Sequence, residues 1–209
     1  MSLKAMIDDP AVGIDAIASW LDGLDHATRK SEAFTLDRAT QRALYEQAAA
    51  GPAITLDHFV PDDVPDRTEV IHHGRNTLPL PAGQKLFEKR FARPAEGDER
   101  RGSGMYGYNE APTRGLIGPG YFVAVETAGE PEWEPRGAVV VDYFQVPEGP
   151  VVDGWPEVVP NSRGIQFFVY NKTRDFMRRV SAHVSIGAAY KKERPLGHFF
   201  ILVREDTGG

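Results

Sequence analysis

The 209-residue chain contains no cysteine. That single absence removes disulfides, thiolate metal ligation, iron–sulfur cluster attachment and cysteine nucleophiles together. Long apolar runs are missing too. No uninterrupted stretch approaches the length that spans a bilayer. The opening Met1–Ile7 is cut by Asp8-Asp9-Pro10 before it reaches the length of a signal-peptide apolar region. The expectation is a soluble cytoplasmic protein with no membrane partner, in which the sequon Asn171-Lys172-Thr173 is chance. Positive charge is in deficit: 24 Lys and Arg face 30 Asp and Glu, a net charge of -6. Nonspecific nucleic-acid binding is driven by phosphate neutralisation, so no nucleic-acid partner is expected. Basic pairs such as Lys89-Arg90, Arg178-Arg179 and Lys191-Lys192 read as solvated faces.

Catalytic signatures are scarce. Gly115-Leu116-Ile117-Gly118-Pro119-Gly120 lacks the Lys-Ser/Thr of a P-loop and runs into a strand, so no P-loop nucleotide is expected. No Gly-x-Ser-x-Gly elbow supplies a hydrolase nucleophile.

What is present is turn-rich β sequence. The chain has 21 Gly and 16 Pro, which favours short strands and many turns. Tyr121–Thr127 and Ala138–Val146 are β-branched and aromatic runs separated by Gly, Pro and acidic residues, the pattern of two antiparallel strands. Leu86–Arg93, Met105–Asn109, Val184–Tyr190 and Gly197–Arg204 read as further strands, and Ile54–Val60 as a short one. Glu69–Asn76 is ambiguous. Helical spacing of Val12, Ile14, Ile17, Trp20, Leu21 and Leu24 predicts a helix over 10–24; Asp37 as N-cap and Gly51-Pro52 as stop predict another over 37–50. Ile165, Phe168, Val169, Phe176 and Val180 form a helical stripe, predicting a long helix that Asn161-Ser162 would cap. The fold class expected is α+β: a mainly antiparallel curved sheet or partly closed barrel, packed by that long helix in the C-terminal half. Residues 1–52 form a helical segment on the sheet, and 53–209 the α+β domain.

Candidate site residues come from polar groups set among aromatic strands. In Leu86–Arg93, Phe87, Lys89 and Phe91 point to one face, and Glu88, Arg90 and Ala92 to the other. Arg90 on a concave face would need a carboxylate or an anionic ligand, with Glu88 as its internal partner. Tyr106 and Tyr108 share a face and can flank a planar ligand, with Asn109 beside them. His72 and Arg75 complete the ligand-binding set. Asp142 interrupts an apolar strand, where a carboxylate is a candidate acid or base and equally a partner for Arg90 or Arg136. With His72 and His183 it makes the catalytic candidates. His58 and His73 are candidate metal ligands, although adjacent His72 and His73 point to opposite faces of a strand. The leading expectation is binding of a small, partly apolar molecule, anionic in one version, in a cleft of a curved sheet. The alternatives are a metal-dependent or acid–base enzyme using His58, His72 or His73 with Asp142, and a protein-interaction module working through the N-terminal helices. Homo-oligomers fit all three.

Overall fold

The computed structural model describes residues 1–206. Four short helices open the chain: α1 (Leu3–Asp8), α2 (Ile14–Asp22), α3 (His26–Ala33) and α4 (Arg38–Gln47). Local chemistry sets their starts. Asp25 and Asp37 each accept a hydrogen bond from a threonine amide three residues on, both at 2.9 Å, satisfying an otherwise orphaned N–H. Leu3, Met6, Ile17, Leu21 and Leu44 bury one face of this group against Val184, Ile186, Ala188, Ile201 and Val203. Each such side chain contributes about 1.5–3 kcal/mol when fully buried.

The body of the molecule is a closed barrel of eight antiparallel strands, each beside its sequence neighbours. They are β1 (Val70–Asn76), β2 (Leu86–Ala92), β3 (Met105–Glu110), β4 (Phe122–Glu126), β5 (Val139–Asp142), β6 (Thr173–Arg179), β7 (Val184–Lys191) and β8 (Arg194–Arg204). Pairing of β1 with β8 closes the ring and leaves no free sheet edge. Two further helical turns, α5 (Arg114–Ile117) and α6 (Gln166–Val169), sit in the connections before β4 and β6.

This corrects the expected fold class: the sheet closes on itself, and no long C-terminal-half helix packs it. Residues 166–169 form one helical turn, Lys172 takes a positive φ of 58°, and the chain then extends as β6. The apolar stripe was misleading because Phe176 belongs to a strand. It lies on the outer face against Tyr190, while Asp175 and Met177 alternate inward. Asn161 caps no helix; its Nδ2 donates to the carbonyls of Tyr121 and Tyr143 at 2.7 and 2.9 Å. The short strand expected at 54–60 is instead a 3-10 turn over Leu56–His58.

Glycines make room inside the barrel. Gly74 faces Phe87 across the β1–β2 pair, and a Cβ there would fall 2.5 Å from the Phe87 ring. Gly107 gives the same room to Phe122, and Gly187 to Phe200. Three aromatic rings therefore cross the interior over bare backbone. The lower end is sealed by Phe59, stacked on Phe91 with ring centroids 4.6 Å apart.

Candidate functional site: a polar floor inside the barrel mouth

The upper end is open. A cavity of about 500 Å³ descends from the ends of β1, β2, β6, β7 and β8 into the barrel, walled by Phe87, Tyr170, Ala189, Phe199 and Phe200. Its floor is polar. Strand alternation puts Lys89 of β2, Asn109 of β3 and Asp175 of β6 on the inner face, and Tyr143 follows β5.

Lys89 is 1% exposed. Its Nζ lies 3.1 Å from Asp175 Oδ2, donates to Asn109 Oδ1 at 3.0 Å, and donates to the Tyr143 hydroxyl. Three acceptors match the three protons of an ammonium. Asn109 is oriented by its own amide, which donates to Gly120 O at 3.0 Å and to Tyr143 OH at 3.1 Å. The Tyr143 hydroxyl lies 3.3 Å from Asp175 Oδ2. The rings of Phe122, Tyr143 and Phe200 surround the ammonium at 4.9–5.0 Å, adding cation–π attraction where water is excluded.

Burial governs the electrostatics. It pushes the Lys89 ammonium down, while Asp175 pulls it back up. It pushes the Asp175 carboxyl up, opposed by Lys89 and the Tyr143 hydroxyl. The Tyr143 phenol is driven well above its ordinary range, again mainly by burial. With Lys89 and Asp175 both ionised, the floor carries no net charge. Tyr170 stacks on Tyr143 at 5.3 Å and lines the cavity; burial raises its pKa as well. His198 stands in the cavity wall with Nδ1 buried and unpartnered among the described residues, and burial lowers its pKa.

Of the residues expected from sequence, Asn109 alone belongs to this floor. Arg90 points outward and is held by Glu88 at 2.6 Å and Glu69 at 3.1 Å. Tyr108 is also on the outer face, beneath Trp155 at 5.0 Å, with its phenol pushed up to about 12 by burial. Tyr106 donates to Asp98 at 2.9 Å and borders a separate outer recess of about 340 Å³ whose rim is loop and charge. Polar groups that line that recess are already paired, Tyr106 with Asp98 and Arg67 with the carbonyl of Val151, so the barrel mouth is the stronger candidate. Arg75 alternates outward, where its carbonyl accepts from Gln41 Nε2.

The residues of the enzyme alternative do not converge. His72 faces inward at the sealed end, where its Nε2 donates to Phe59 O at 2.9 Å, and burial pushes its pKa down to about 3. The His58 ring is 6.3 Å from it, also buried and shifted well down. His73 is outside, 2.7 Å from Glu205. Asp142 is outside too, paired with Arg174 at 3.2 Å. His183 pairs with Asp206 at 3.2 Å. Among the described residues, no group of three or more His, Cys, Asp or Glu is placed to hold a metal ion.

Sequence reasoning missed Lys89, Tyr143, Tyr170 and Asp175. The signal for Lys89 was visible: it is the one charged residue on the apolar face shared with Phe87 and Phe91. Asp175 was hidden because the apolar spacing over residues 165–180 fits a helix, on which Asp175 falls on the polar face. Comparison with protein-family models, curated proteins and solved structures finds no match to this chain.

Proposed function

We propose that the barrel binds a small, largely apolar, uncharged molecule whose polar end meets the floor at Lys89, Asp175 and Tyr143. The carrying observation is the cavity itself: about 500 Å³ of mainly aromatic and aliphatic wall ending on a buried, charge-balanced ion pair. A pocket of that size, mostly apolar with a few convergent polar groups, suits a small organic ligand. Net neutrality of the floor argues against the anionic ligand that Arg90 suggested. A carboxylate brought beside Asp175 would meet a like charge in a low-dielectric site. An alcohol, ketone or amide can exchange hydrogen bonds with Tyr143, Tyr170 or Asp175 without adding charge.

The experiment is fluorescence titration with Nile red, an uncharged apolar dye, followed by competition with decanol and decanoate. Dye emission should rise on binding, and decanol should displace the dye better than decanoate. Ala189→Trp, which fills the cavity from β7, should abolish binding, while Arg90→Ala on the outer face should leave it intact. Equal binding by Ala189→Trp and the parent chain would remove the cavity reading. Preferential displacement by decanoate would remove the neutral-ligand reading.

A further inference from the structure

The rim of the barrel mouth has a composition unlike the rest of the chain. Four segments at or beside the upper strand ends form it: 77–86, 111–121, 158–172 and 191–198. The first half of the β5–β6 connection leaves the mouth and runs along the outer wall, where Trp155 packs on Tyr108 and Asp153 pairs with Arg67. Most large apolar side chains exposed on the molecule lie here. Leu116 is 72% and Phe168 75% exposed, with Phe167 and Leu196 above 40%. Exposed aliphatic and aromatic tips concentrated on one end mark a contact surface.

Charge is sorted in the same place. These segments hold seven of the chain's 24 Lys and Arg but one of its 30 acids, Glu193. The Glu193 carboxylate is occupied by Arg136 and Arg174. Lys85, Arg163, Lys172, Lys192 and Arg194 make no ion pair among the described residues and sit around the apolar tips. A chain of net charge -6 thus presents a basic, apolar end.

We propose that this end docks on an anionic phospholipid bilayer surface. Phe168 and Leu116 enter the headgroup–acyl boundary, while the basic side chains face lipid phosphates. Apolar insertion combined with cations is the composition that anionic interfaces attract, and each nearby Lys or Arg strengthens binding about fivefold. Nucleic acid would use the cations but not the apolar tips. The contact is peripheral: the outer wall of the barrel carries charged pairs such as Arg90–Glu88 and Arg174–Asp142 and is covered at β7 and β8 by the N-terminal helices, so it offers no lipid-facing apolar band. The expectation of no membrane partner rested on the lack of a spanning segment, which a surface contact does not need. The cavity opens between the docking segments, so a ligand would pass directly between barrel and bilayer. The docking claim does not depend on what fills the cavity.

The test is co-sedimentation of the full chain with vesicles of phosphatidylcholine alone and of an equimolar mixture with phosphatidylglycerol. Binding should be confined to the mixed vesicles and weaken as salt rises. Phe168→Asp should lower partitioning by roughly tenfold, and Arg163→Glu with Arg194→Glu by roughly tenfold or more. All three positions are exposed, and circular dichroism would confirm that the variants fold. No binding to mixed vesicles overturns the proposal, as does equal, salt-independent binding to both vesicle types. A self-association that Phe168→Asp abolishes, without vesicle binding, would assign the surface to a second copy of this chain. Binding to a DNA duplex that Phe168→Asp leaves unchanged, again without vesicle binding, would assign it to nucleic acid. If Ala189→Trp kept both Nile red and vesicle binding, docking would stand while the cavity reading fell; if it lost Nile red and the parent chain bound no vesicles, the cavity reading would stand while docking fell.

Discussion

Lys89 and Asp175 meet 3.1 Å apart across the barrel interior, from strands β2 and β6 that are not neighbours in the sheet. Both are buried, so each is the other's counter-charge. Lys89→Met should therefore cost about 3–5 kcal/mol, chiefly by leaving Asp175 uncompensated. Lys89→Met combined with Asp175→Leu should recover much of the loss, since a well-packed apolar pair often replaces a buried ion pair without penalty. Urea unfolding of the two single variants and the double variant measures this. A double variant no more stable than Lys89→Met would show that the pair is not coupled in this way.

The buried histidines tie stability to pH. His72 has its folded-state pKa depressed to about 3 by burial, against an ordinary value of 6.5. Above 6.5 it is neutral in both the folded and unfolded chain and does not affect the balance. As pH falls below 6.5 the unfolded chain takes up a proton that the folded one refuses, so stability drops. The loss continues until the folded-state pKa is reached and then levels off, with a slope of up to about 1.4 kcal/mol per pH unit for one such group. Between pH 7 and 5, His72→Phe should flatten the pH dependence of the urea midpoint, whatever its effect on stability at pH 7. An unchanged slope would mean that His72 titrates normally. His58, shifted the same way, should leave a residual slope.

Gly187 lies under the Phe200 ring, and a Cβ added there would enter the ring's van der Waals envelope. Gly187→Ala should cost about 1–3 kcal/mol through overpacking. Trimming the ring in Gly187→Ala/Phe200→Leu should cancel part of that cost. Thermal unfolding of the three variants decides it, and additivity of the two substitutions would contradict the packing account.

Arg93 fastens the lower plug. Its guanidinium donates to the carbonyls of Val64 at 2.6 Å, Val60 at 2.9 Å and Pro61 at 3.0 Å. A lysine has three donors on one nitrogen and cannot reproduce a planar fork. Arg93→Lys should leave buried carbonyls unmet, at about 1–3 kcal/mol each in the worst case. Amide hydrogen exchange should quicken in residues 56–66 before it does in β4 and β5. Uniform exchange across the barrel would argue against a local clamp.

Much of the local structure could be read from residue order. Asp37 and Gly51-Pro52 mark the fourth helix because a cap and a stop are local chemistry. The strands at 86–92, 122–126 and 139–142 were legible because apolar alternation and β-branched runs report burial directly. The Arg90–Glu88 pair was legible too, since residues two apart on a strand share a face. β6 was not legible: Phe176 and Val180 fit a helical spacing as well as a strand, and only the partners β5 and β7 decide between them.

Sequence alone determined the absence of thiol chemistry, the antiparallel β character and the two-face sorting of Leu86–Arg93, because each depends on residue type or on neighbours within a few positions. Tertiary structure decided which of those faces points inward. Closing β1 onto β8 turned Phe87, Lys89 and Phe91 into the barrel and left Arg90, Tyr106 and Tyr108 outside. It also brought Lys89 to Asp175, 86 positions along the chain. A buried charge is tolerated only where its counter-charge arrives, and that arrival is a property of the closed ring rather than of any local stretch.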